Sequence, residues 1–233
     1  MKNIFFKFPF HFDETKLAED LSKCLKIQWP EHFNQQDFEG SWTSISLRSA
    51  SGRESDISAH YTEQAYINTP VLQECHYFRE IIESFQCEKE AVRLLSLAAG
   101  SVIKEHTDAH AGYEFGFFRI HIPIQTVPDV SFKVGGYELP MKSGECWYAD
   151  FHLPHSVENR SKTNRVHLIM DCKRNEWSDE LFGKAGYDFE EERKKNEIPA
   201  ETKLQMIEEL SGIDTEGARN LIAQLKKEIA QTS

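Results

Sequence analysis

The residues best equipped for chemistry are His106-Thr107-Asp108, answered downstream by His155 and then by Arg165. Two imidazoles and one carboxylate are the donor set of a non-heme Fe(II) centre that keeps coordination positions open for oxygen and a second ligand. Arg165 adds a permanently charged planar fork, which suits a carboxylate. In an extended segment, residues two apart project to the same side, so His106 and Asp108 can serve one ion while Thr107 faces away. The third ligand must then come from another strand, and His155 follows the turn signal at Pro154. An HxD triplet alone is weak in a chain with ten histidines. Its context gives it weight.

That context is a pattern repeated in two strand-like runs. In FFRIHIPI, Arg119 and His121 share one face while Ile120, Ile122 and Ile124 share the other. In NRVHLIMD, Arg165 and His167 oppose Val166, Leu168 and Met170. One reading is a pair of half-exposed strands with Arg and His in water. The other is a closed sheet whose interior carries cations for an anionic ligand. Burying unpaired charge costs several kcal/mol, roughly, so inward arginines demand carboxylate partners. A dicarboxylate co-substrate would meet that demand.

The elements that must hold these residues are mostly short strands. From Val92 to Asp171 the runs VRLLSL, FFRIHIPI, VSFKV, ECWYADF and NRVHLIMD are punctuated by Gly100, Gly116, Gly135-Gly136, Gly144 and Pro154, the signature of a sandwich or barrel. Upstream, MKNIFFKFPFHFDE reads as a first strand and not a signal peptide. Asp13 to Cys24 spaces Leu17, Leu21 and Leu25 as an amphipathic helix capped by Asp13 or Thr15. Thr43 to Arg48 alternates as a strand. Thr69-Pro70 opens a second helix with Phe78, Ile81, Ile82 and Phe85 on one face. The predicted organisation is residues 1–178 as one β-rich domain with an N-terminal α/β extension, then 179–233 as a charged linker (Gly183 to Asn196) and a helical tail. Its helices, Thr202 to Leu210 and Thr215 to Ile229, are bounded by Gly212 and by a cap at Asp214 or Thr215. The tail reads as an appendage packed on the core, with a homodimer contact or a substrate cover as the alternatives.

Composition narrows the partners. With 39% hydrophobic residues the chain can bury a sizeable core, and its net charge of -11 argues against nucleic acid. No apolar run approaches a membrane span. Five scattered cysteines with no CxxC spacing speak against a disulfide framework or thiolate zinc site, and free thiols without an export signal point to the cytoplasm.

The runs RLLSLAAGSVIKEHTD, FFRIHIPI, GECWYADFHLPHSVEN and NRVHLIMD, in this order, resemble the aspartyl/asparaginyl β-hydroxylase family of Fe(II)/2-oxoglutarate dioxygenases, which includes bacterial free-proline cis-hydroxylases. A weaker similarity extends through GSWTSISLRSASG, and the tail is not covered. The resemblance implies a mainly β, α+β fold, a double-stranded β-helix (jelly roll, cupin-like) with N-terminal helices. It implies iron ligation by His106, Asp108 and His155, and a grip by Arg165 on the distal carboxylate of 2-oxoglutarate, with Arg119 and His121 near its other end. Molecular oxygen is the remaining co-substrate, and the product is a hydroxylated carbon. Mammalian aspartyl hydroxylases lack an acid at the position matching Asp108; its presence here follows the bacterial pattern and puts the aspartyl substrate in doubt.

The expected substrate is an amino acid or an aspartyl/asparaginyl residue in a peptide, with free L-proline as an alternative. A cupin-like metal or small-molecule binding protein without turnover is the alternative of another class. Arg48 and Arg93 are candidate holders of a substrate carboxylate, each equally explicable as a surface salt bridge. Trp42 and Trp147 are candidate pocket walls or ordinary core. His152 reads as structural, His110 and His60 as loop residues, and His167 as either an interior neighbour of Arg165 or not.

Overall fold

The computed structural model describes residues 3–58 and 64–232; His60 lies outside them. The chain divides into two compact units, Met1–Tyr187 and Asp188–Ser233.

The first unit is built on two antiparallel sheets. The larger contains β1 (Phe5–His11), β3 (Trp42–Ser49), β4 (Ile67–Asn68), β5 (Lys89–Leu97), β7 (Phe117–Gln125), β10 (Glu145–Ala149) and β12 (Arg165–Lys173), in the order β1-β10-β7-β12-β5-β3-β4. The smaller contains β2 (Phe38–Glu39), β6 (Val102–His106), β8 (Val130–Val134), β9 (Tyr137–Glu138) and β11 (His155–Asn159), in the order β2-β6-β11-β8-β9. Leu95, Leu97 and Ile169 from the first sheet meet Ile103, Phe132, Val134 and Val157 from the second in one apolar core. This is the expected jelly roll. Among the described residues no strand pairing joins the two sheets, so the closed sheet is corrected to an open pair of facing sheets.

The larger sheet is covered on both faces, which explains its Arg-x-His strands. Eight of the nine residues of β12 are buried. Helices α1 (Glu14–Cys24), α2 (Pro70–Glu74), α3 (His76–Ser84) and α4 (Glu176–Lys184) complete this unit. Asp13 caps α1 by accepting from the Thr15 and Lys16 amides, and Leu17 and Leu21 are buried, whereas Leu25 lies past the helix end and is exposed. The single helix expected from Thr69-Pro70 is broken at Cys75 (φ -102°, ψ 78°). The buried Asp20 carboxylate of α1 caps the second piece, accepting from the amides of Tyr77 and Phe78 at 2.8 and 2.9 Å. Phe182 of α4 packs on Phe118, on the face of β7 opposite Arg119, with ring centroids 5.3 Å apart, and stacks on Tyr113 at 3.6 Å. That burial is why the division falls after Tyr187 and not after residue 178.

The second unit holds α5 (Phe189–Asn196), α6 (Ala200–Ser211) and α7 (Glu216–Thr232). The stretch expected as linker therefore carries a helix, one with no buried side chain. Helices α6 and α7 pack together, and the Thr215 hydroxyl caps α7 by accepting from the Ala218 amide. No helix among the described residues is long and apolar enough to cross a membrane. All five cysteines are free thiols, and all are buried.

Candidate active site

A cavity of about 610 Å³ opens between the two sheets. His106 ends β6 and His155 begins β11, and the antiparallel register sets them directly opposite each other. Their ring centroids are 4.2 Å apart. Each Nδ1 lies against a backbone carbonyl, His106 with Lys104 at 2.8 Å and His155 with Leu153 at 3.0 Å. A carbonyl only accepts, so both Nδ1 atoms carry the proton and both Nε2 lone pairs are left for a metal. The ligand atoms of His106, Asp108 and His155 all lie within 4.8 Å of one another.

Asp108 reaches this cluster by a different route from the one its spacing implied. Strand β6 stops at His106, so strand alternation does not orient the carboxylate. Its backbone is fixed by the Asp108 amide donating to the Phe151 carbonyl at 2.9 Å, and its side chain by Arg119 Nη1, 2.7 Å from Oδ2. The other oxygen, Oδ1, is 3.8 Å from His106 Nε2. Burial alone would raise the Asp108 carboxyl, but Arg119 and then His155 hold it below its ordinary value. Burial pushes His155 down to about 4. A deprotonated carboxylate and a neutral imidazole are what a cation requires of its ligands. The nitrogen and oxygen donor set fits Fe(II).

Arg119 is held by two carboxylates: besides Asp108, its Nε donates to Asp171 Oδ1 at 2.6 Å. Burial works against its charge, yet Asp171 and Asp108 together raise it above the ordinary arginine value. Arg93 donates to the same Asp171 at 2.7 Å from Nη2. It lines the cavity while already engaged.

Arg165 is of another kind. It is 2% exposed, lines the same cavity, and makes no ion pair with a carboxylate among the described residues. Its Nη2 donates to His167 Nδ1 at 2.8 Å, its guanidinium lies 5.2 Å over the Phe132 ring, and its Nε has no partner. Burial pushes it down to about 9. His121 is buried with neither ring nitrogen bonded, and burial and then Arg165 keep it neutral. Orphaned buried donors around an uncompensated guanidinium fit a ligand that brings its own carboxylate.

Two candidates sit away from the cavity lining. Arg48 does not line the cavity; it donates to the Lys89 carbonyl and to Asn68 Oδ1 at 3.1 and 2.8 Å, and so ties strands together. Trp147 is core, its indole N–H donating to Glu145 at 2.9 Å, whereas Trp42 does wall the cavity. His152 is exposed and flanks Phe115, which with His110 lines the cavity mouth. The sequence reading missed Phe151, whose ring stacks on His121 at 4.8 Å and meets His155 edge-on at 4.9 Å. It also missed His32, stacked on Trp42 at 3.6 Å in an irregular segment without periodicity.

This geometry agrees with relationships to known proteins. L-proline cis-4-hydroxylase of Rhizobium meliloti (strain 1021) is 31% identical over 164 residues, 69% of this chain and 57% of that protein. L-proline cis-3-hydroxylase 1 of a Streptomyces species is 24% identical over 163 residues, 68% of this chain and 56% of that protein. The chain thus spans a little over half the length of these curated relatives. HygX of Streptomyces hygroscopicus, solved with nickel and 2-oxoglutarate bound, is similar with a TM-score of 0.50 at 9% identity, over 75% of this chain and 84% of that one, a likeness of fold. The sequence model described as aspartyl/asparaginyl beta-hydroxylase matches residues 12–175, and the chain belongs to that family.

Proposed function

We propose that this chain is an Fe(II)/2-oxoglutarate-dependent hydroxylase that acts on an unactivated carbon of an amino acid, free or as a residue in a peptide. The observation that carries the reading is the pairing, in one cavity, of a His106–Asp108–His155 cluster with a buried arginine that has no carboxylate of its own. When bound, Fe(II) with 2-oxoglutarate and oxygen supplies the oxidising power to convert C–H into C–OH.

The chain's own residues would do the rest. His106 and His155 offer Nε2 because their Nδ1 protons are tied to the backbone. Arg119 keeps one Asp108 oxygen occupied and so turns the other toward the ion. Arg165 takes the distal carboxylate of 2-oxoglutarate as a charge-assisted pair, His167 holds the Arg165 guanidinium from behind, and His121, which lines the cavity and is neutral, offers a hydrogen bond without adding charge. Phe132 and Phe151 keep that end dry, which strengthens the arginine–carboxylate attraction.

The test is succinate release by the full chain with Fe(II), 2-oxoglutarate and a panel of free amino acids and short peptides, with a mass gain of one oxygen on the product. His106→Ala and Arg165→Ala should each abolish both signals; metal and 2-oxoglutarate binding without turnover on any substrate would favour a binding protein. Free L-proline heads the panel, because the relatives at 31% and 24% identity are proline hydroxylases.

A further inference from the structure

Strand β5 is irregular where it borders the cavity. Its pairing with β12 runs from Arg165↔Leu97 to Met170↔Val92 and resumes at Cys172↔Lys89, so Glu90 and Ala91 together oppose Asp171. A two-against-one bulge breaks strict alternation and re-aims a side chain. Without it, Glu90 would share the face of Val92 and Leu94, both fully buried away from Arg93. Instead it lines the cavity with Arg93, Asp171 and Lys173.

There the Glu90 carboxylate is poorly compensated. Its side chain is 19% exposed, and the nearest cation among the described residues, Lys173 Nζ, lies 3.7 Å away while sitting 2.7 Å from Glu88. Burial raises the Glu90 carboxyl above its ordinary value, and Lys173 offsets this only in part. Three residues on, Arg93 is 3% exposed and donates to Asp171 and to the Ile57 carbonyl, so its charge is already taken and only its Nε has no partner. A half-buried carboxylate whose one cation is shared with a second carboxylate has room for another, such as the ammonium group of a ligand.

We infer that Glu90 receives the ammonium group of a free α-amino acid substrate, so that this wall selects free amino acids over peptidyl residues. The inference rests on the cavity being the hydroxylase site proposed above, and the bulge is what brings the carboxylate to it. Neutral amides, which a peptide bond would present at that position, cannot form the ion pair.

The experiment uses the full chain loaded with Ni(II), with dissociation constants read by calorimetry. 2-Oxoglutarate is titrated first. Free L-amino acids and their Nα-acetyl derivatives are then titrated into the 2-oxoglutarate complex. The expected result is binding by at least one free amino acid, no binding by its acetylated form, and affinity lowered about tenfold or more in Glu90→Gln. Glu90→Asp should retain part of it, which separates a charge effect from a folding defect, and the melting temperature of each apo variant checks the fold. If 2-oxoglutarate binds but free and acetylated forms bind alike, or no free amino acid binds, or Glu90→Gln binds as the wild type does, this inference alone is overturned. If 2-oxoglutarate itself fails to bind, the underlying reading falls with it.

Discussion

Two arginines on neighbouring strands, Arg119 and Arg165, line one cavity and live in opposite electrostatic worlds. Arg119 is clamped between Asp108 and Asp171 at 2.7 and 2.6 Å. Arg165 has an imidazole and a phenyl face for company, and no carboxylate among the described residues. The first is compensated and therefore serves to position; the second is uncompensated and therefore serves to bind. An inward arginine becomes informative only when its partners have been counted.

Removing the counter-charge on the Arg119 side should have the largest effect. Asp171 is 1% exposed and accepts from both Arg93 and Arg119. Asp171→Asn leaves two buried guanidiniums short of charge and should cost about 3–5 kcal/mol of unfolding free energy by denaturant titration. A loss under about 1 kcal/mol would mean that the cluster is solvated and not compensated as described.

At the other corner the expected pattern reverses. Arg165→Met should leave the melting temperature of the apo protein unchanged or higher, because it removes a buried cation that lacks a counter-charge. Yet it should weaken 2-oxoglutarate binding on the order of 100-fold. Destabilisation comparable to that of Asp171→Asn would contradict the contrast.

Much of this was legible from residue types. Alternation put Arg165 with His167 and Arg119 with His121, and Pro154 marked the start of His155's strand. What escaped the sequence was long-range pairing. Nothing in NRVHLIMD says that Asp171 will be shared by arginines from two other strands, or that the Glu90–Ala91 bulge will turn a carboxylate inward, because register between distant strands is set by packing. Asp108 does join His106 and His155, but strand alternation ends at His106, and Arg119 supplies the orientation that alternation cannot. Arg48 reads like Arg93 in sequence, and only the fold reveals that it ties β3 to neighbouring backbone.

A smaller effect tests both corners through pH. Burial first of all pushes His32 and His155 down to about 4 and holds His121 and His167 well below the ordinary imidazole value. Between pH about 6.5 and 4 the unfolded chain binds protons that the folded chain refuses, so apo stability should fall as pH falls, by at most about 1.4 kcal/mol per pH unit per histidine. The slope should be shallower in Arg165→Met, since the Arg165 charge is the second cause of the lowering at His121 and His167. An unchanged slope would separate those histidines from the arginine. Smallest of all, Arg48→Ala should cost about 1 kcal/mol or less and leave 2-oxoglutarate affinity untouched.

Calorimetric titration of 2-oxoglutarate into the Ni(II)-loaded full chain, wild type against Arg165→Met, isolates the binding role of the uncompensated arginine. The expected result is one site per chain in the wild type and its loss in the variant, with the apo melting temperature preserved. Equal affinity in the two proteins would contradict it.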